Sequence, residues 1–72
     1  MTYRDAGNYE EAIATLKQAL RINPDYAGIW YNLGITYSMN GQKEKALESL
    51  ERLRKTDPTL AAKLEKMIEG NR

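Results

Sequence analysis

Seventy-two residues support one small domain, and a chain of that length buries only ~60% of the surface its unfolded form exposes. Eleven Lys and Arg against ten Asp and Glu leave a net charge of +1. That gives no field able to gather nucleic acid or an anionic membrane, and no apolar run approaches the ~20 residues of a membrane span.

Cysteine and histidine are both absent. This removes a disulfide framework, thiolate zinc sites, and the commonest general base and nucleophile. The start of the chain, "MTYRDAGNYEE", lacks the charged and apolar regions of a signal peptide, so a cytoplasmic location is expected.

In chain order, "AGN" (6–8) reads as a turn, and the first helix is expected over roughly 9–22. Its apolar stripe is Tyr9, Ala12, Ile13, Leu16, Ala19 and Leu20, at helical spacing. "NPD" (23–25) stops it. A second helix, over roughly 26–39, puts Trp30, Leu33, Gly34 and Tyr37 on one face. About half a turn away, Gly28, Tyr31, Asn32, Ile35, Ser38 and Met39 form another stripe, on the side expected to meet water. "NGQ" (40–42) ends that helix. The third, over roughly 43–55, carries Ala46, Leu47, Leu50 and Leu53, and "DPT" (57–59) separates it from a fourth over roughly 59–69 with Leu60, Leu64, Met67 and Ile68. Asn23 and Asp57 each precede a proline, the pattern of a helix N-cap followed by proline at the first helical position. The fold class is all-α.

Shifting the chain by 34 residues lays Tyr3 on Tyr37, Gly7 on Gly41, Glu10 on Glu44, Ala12 on Ala46, Leu16 on Leu50 and Pro24 on Pro58. It also lays Ala27 on Ala61, Trp30 on Leu64 and Leu33 on Met67. Glycine, proline and aromatic residues seldom coincide by chance, so the unit is a repeated pair of antiparallel helices. With Trp30, Leu33, Gly34, Tyr37, Gly41, Ala46, Leu50 and Pro58 in register, the chain resembles the tetratricopeptide repeat family. Residues 27–60 match one full repeat, 1–26 the end of a preceding one, and 61–72 the start of a following one or a capping helix. Leu50 stands where the family often has an aromatic, Leu53 where it usually has alanine, and Ile68 where the next glycine would fall.

The resemblance implies antiparallel helix hairpins stacked as a short right-handed superhelical solenoid. Trp30, Leu33, Gly34, Tyr37, Ala46, Leu50 and Pro58 would form the repeat core, with Gly34 and a small Ala46 opposite it letting the helices approach. It also implies a concave groove that binds a peptide or protein partner, with Tyr31, Asn32, Ile35, Ser38 and Met39 as its residues. The competing reading has Tyr31 and Met39 packing on adjacent helices. Some members of the family clamp a C-terminal carboxylate through lysine, asparagine and arginine. Asn32 matches one such asparagine, but Ala62 and Lys66 stand where lysine and arginine are needed, so no clamp is implied.

No catalytic constellation emerges. Glu44, Glu48 and Glu51 share a helical face with Lys43, Lys45, Arg52 and Lys55, as intrahelical ion pairs on a solvated face do. Arg52, Arg54 and Lys55 suit a helix C-terminus and make no broad nucleic-acid patch. No metal or cofactor is expected. An alternative to groove binding is a self-assembling scaffold, natural or engineered. The first helix lacks most of the helix expected before it, and the last has none after it. Ile13, Leu16, Leu20, Leu64, Met67 and Ile68 are then expected to be short of cover and to associate into a homo-oligomer, a dimer being the preferred form.

With no histidine, no side chain here ordinarily titrates between pH 5 and 8. Denaturant melts across that window are expected to superimpose within ~0.5 kcal/mol. A midpoint that moves sharply near neutrality would contradict this.

Overall fold

Each connection between helices is set by an identifiable backbone device. The computed structural model describes residues 6–70 and folds them into α1 (Ala6–Ile22), α2 (Ala27–Met39), α3 (Lys43–Thr56) and α4 (Pro58–Gly70). Tyr3, matched to Tyr37 by the repeat, lies outside the described residues.

The α1–α2 connection corrects the expectation at Asn23–Pro24. These residues form a turn rather than a helix start, with the Tyr26 amide donating to the Asn23 carbonyl at 3.2 Å. Helix α2 begins only at Ala27, and Tyr26 at its N-cap offers no side-chain cap. The Pro24 carbonyl accepts the Trp30 indole N–H at 2.8 Å, a bond that spans the turn. The expectation at Asp57–Pro58 holds. Asp57 Oδ1 accepts from the Leu60 amide at 3.2 Å, and Pro58 opens α4, where its missing N–H costs nothing.

Between α2 and α3, Gly41 adopts φ +80°, a conformation that glycine accepts without penalty. The Gln42 amide donates to the Tyr37 carbonyl at 2.8 Å and the Gly41 amide to Ser38 at 3.2 Å, a complete Schellman stop. Residues 6–8, read from the repeat as the equivalent turn, are the first residues of α1 instead. Gly41 turns the chain between two packed helices; among the described residues no helix precedes α1 for such a turn to serve.

Helix α2 packs on each of the other three helices, α3 and α4 pack on one another, and α1 packs on α2 alone. This neighbour-to-neighbour stacking is an all-α helical-repeat solenoid. The core is Ile13 from α1, Leu33 and Tyr37 from α2, Ala46, Leu50 and Leu53 from α3, and Ala61, Leu64 and Ile68 from α4. Two expected core residues lie elsewhere. Pro58 is exposed because its contribution is to the backbone at the start of α4. Trp30 is half-buried at the edge of the core, because its indole reaches out to the turn and the Arg52 guanidinium lies 5.0 Å from the ring centre. A bridge from Arg54 to Glu51 (3.1 Å) and Glu65 (3.5 Å) ties α3 to α4, but both partners are half-exposed and such pairs contribute little.

Gly34 is buried, and its close partner differs from the one expected. A Cβ at Gly34 would stand 2.5 Å from Leu64 Cδ2, 3.2 Å from Leu64 Cδ1 and 3.3 Å from Ser49 Cβ. The space freed by the glycine therefore admits Leu64 of α4, with Ser49 of α3 beside it, rather than Ala46. Ala46 is itself fully buried. Burying Leu64 completely contributes ~1.5–3 kcal/mol, which exceeds the ~1 kcal/mol that a helix-interior glycine costs.

Gly34→Ala is expected to destabilise by ~1–2 kcal/mol, overpacking against Leu64 outweighing the gain in helix propensity. In a Leu64→Ala background the same change is expected to be neutral or stabilising. Additive effects of the two substitutions in a double-mutant cycle of urea melts would show that Leu64 is not what the glycine accommodates.

Candidate functional site

Helix α2 is apolar on every side, which is unusual for a helix in so small a domain. Three neighbours account for much of this. Leu33, Gly34 and Tyr37 are buried, and Tyr31 and Ile35 are half-buried against the core. The structure thus divides the five residues expected to form a groove. Tyr31 and Ile35 pack on neighbouring helices, Ser38 is half-buried, and Asn32 and Met39 face solvent. Asn32 and Met39, seven residues apart, are exposed on the same side of α2, with the half-buried Ile35 between them.

Tyr31 marks the edge of that strip. Its hydroxyl donates to the Met67 sulfur of α4 at 3.6 Å, closing a seam between the two helices. Met67 is 45% exposed and Met39 is 47% exposed. Two large, flexible thioether side chains therefore lie on the open surfaces of α2 and α4. Such side chains adapt to differently shaped partners. Lys66, which the repeat lays on Asn32, is exposed on α4. The resulting face combines apolar contact from Met39, Met67 and the edges of Tyr31 and Ile35 with hydrogen bonding from Asn32 and a positive charge from Lys66. Thr36 adds nothing to it, since its hydroxyl is spent on the Asn32 carbonyl at 2.8 Å.

Met67 was expected in a different role, among the residues short of cover. Of that set, Ile13, Leu64 and Ile68 are buried within the one chain, and Leu16 and Leu20 are half-buried. Helices α2 and α3 give α4 the cover that its position last in the described chain seemed to deny it. Ile68, which stands where the repeat would have its next glycine, is buried in the core. Periodicity could not place Met67 on the seam, since the repeat lays it on Leu33, which is buried.

Nothing in this face is arranged for bond-making chemistry. Among the described residues no three His, Cys, Asp or Glu side chains are grouped so as to hold a metal ion. None of the described helices is long and apolar enough to cross a membrane.

The "TPR repeat" family model matches residues 2–41, and the "Tetratricopeptide repeat" model matches residues 27–60. Among curated proteins, the chain is similar to the photosystem I assembly protein Ycf3 of Cuscuta gronovii and of Cuscuta obtusiflora. It is 36% identical to each over 63 residues, which is 83% of this chain and 38% of the relative. The chain thus spans less than two fifths of the length of these relatives. No solved structure matches it.

The indole bond from Trp30 to Pro24 holds the turn that orients α1 on α2. Trp30→Phe, which keeps most of the ring and loses the donor, is expected to cost ~1 kcal/mol. Trp30→Ala should cost less than the ~3–5 kcal/mol typical of a fully buried tryptophan, because the side chain is only partly buried. A full-sized loss in chemical denaturation would return Trp30 to the core.

Proposed function

Because the chain belongs to the tetratricopeptide repeat family, we propose that it is a protein-interaction module that takes an extended segment of a partner protein along the open face of α2 and α4, without catalysis. The observation that carries the reading is the Tyr31–Met67 seam. It joins two packed repeat helices, and Asn32, Met39 and Met67 stay exposed beside it. Such a face is preformed, so binding does not first have to order it. Apolar side chains of the segment pack on Met39, Met67 and the exposed edge of Tyr31. The Asn32 amide, which both donates and accepts, bonds the main chain of the segment. The curated relatives are named for assembly of a larger complex, and a role in bringing proteins together is in keeping with that.

Titration of the chain against a fluorescein-labelled peptide library, read by anisotropy, is expected to find saturable binders. Asn32→Ala and Met39→Ala, both at exposed positions, are expected to weaken them by ~1–2 kcal/mol each with unchanged melting behaviour. Binders indifferent to both substitutions would place the interaction surface elsewhere.

A further inference from the structure

Three features lie outside the open face of α2 and α4. A concavity of about 370 Å³ over the α2–α3 turn is lined by Gly41, Gln42, Lys43, Glu44 and Lys45, with no large apolar side chain among them. Exposed Ile22 and Tyr26 flank the α1–α2 turn. The third feature is a cleft between α1 and α3.

Helices α1 and α3 both pack on α2 but not on one another. Between them remains a cavity of about 250 Å³ floored by Leu20, Trp30, Leu33 and Tyr37. Its rim is Lys17 from α1 and Lys45 and Glu48 from α3. The Lys45 ammonium lies 5.9 Å from the centre of the Tyr37 ring, and the Arg52 guanidinium lies over Trp30. Lys17 and Lys45 thus stand at the rim of an aromatic floor with Glu48 as the acid there, and Arg52, outside the lining, lies over the Trp30 ring. Among the described residues neither Lys17 nor Lys45 is held in an ion pair. The cavity is smaller than the ~300–1,000 Å³ of pockets that enclose a whole small molecule, and it suits a single side chain.

We propose that this cleft is a second protein-docking site, on a different face from the first, and that it takes an acidic peptide bearing one aromatic anchor. The anchor ring enters between α1 and α3 and lies on Leu20, Trp30 and Tyr37. Carboxylates on either side of it meet Lys17, Lys45 and Arg52. Charge complementarity selects the partner: a basic segment would meet three like charges, and an apolar one would leave the lysines without counterions. The two faces share α2 but no exposed side chain, so the chain can hold two partners at once, as a component that joins proteins must.

Trp30 is the sole tryptophan and lies in the floor of the cleft, so its emission reports occupancy directly. The probe is a short blocked peptide with one phenylalanine flanked by aspartate and glutamate. Its counterparts carry lysine in place of the acids, or alanine in place of the phenylalanine. The acidic aromatic peptide is expected to shift Trp30 emission saturably, with a Kd on the order of 10–100 μM that weakens as salt rises. The double variant Lys17→Glu, Lys45→Glu, with both changes at exposed positions, is expected to weaken it by roughly tenfold and to accept the lysine peptide instead. Asn32→Ala and Met39→Ala are expected to leave it unchanged, so failure here and failure of the α2–α4 face are read separately. No saturable shift up to ~1 mM would overturn the proposal. So would equal binding of the lysine or alanine peptide, indifference to the charge reversal, or preferential binding of a single-stranded oligonucleotide.

Discussion

The structure depends on a close approach at one point. Gly34 is buried near the middle of α2, and Leu64 of α4 occupies the volume that any larger side chain would need. Without that approach α4 would stand off α2, Leu64 would lose its full burial, and the Tyr31–Met67 seam would open. Ser49 of α3 completes the contact, so one glycine sets the spacing of three helices. In a chain with so few residues to bury, this matters more than it would in a larger domain. Each fully buried leucine is a sizeable part of a net stability of ~0.05–0.15 kcal/mol per residue.

Two surfaces follow from the same geometry. A helix that is apolar all round is normally enclosed. Helix α2 has three neighbours, which cover most of its circumference and leave two strips. One, along Asn32 and Met39, continues onto α4 at Met67. The other lies under the gap between α1 and α3, where the partly covered Trp30 and the buried Leu33 and Tyr37 form a floor. The two strips differ in chemistry. Thioether and amide groups border the first, whereas lysine and arginine side chains ring the second. An interaction module built this way gains specificity from side chains at the edges of a fixed backbone, not from a mobile loop.

The connections show how similar signals lead to different structures. Asn23–Pro24 and Asp57–Pro58 carry the same dipeptide logic. Asp57 caps α4 through its carboxylate, while Pro24 becomes the acceptor for a tryptophan six residues on, and the helix starts late. Gly41 and Gly7 hold equivalent places in the repeat. Among the described residues, Gly41 has packed helices on both sides to turn between and belongs to a helix stop, whereas Gly7 lies inside the first turn of α1.

The sequence by itself determined the helical class, the segments and the repeat. These rest on local periodicity and on residues such as Gly41 and Pro58, whose backbone preferences act wherever they are placed. It also singled out Gly34 as a point of close approach, since a glycine in mid-helix needs a reason. Which atom fills that space was decided only by tertiary structure. Leu64 and Ser49 come from two other helices, and no spacing within α2 encodes them. The same holds for the functional faces. Periodicity separated one side of α2 from another, but neighbouring helices decided that Tyr31 and Ile35 would be half-buried while Asn32 and Met39 stayed open. The cleft was not legible at all, because it exists where α1 and α3 fail to meet. Its lysines and aromatics lie on three helices and are brought together only by packing.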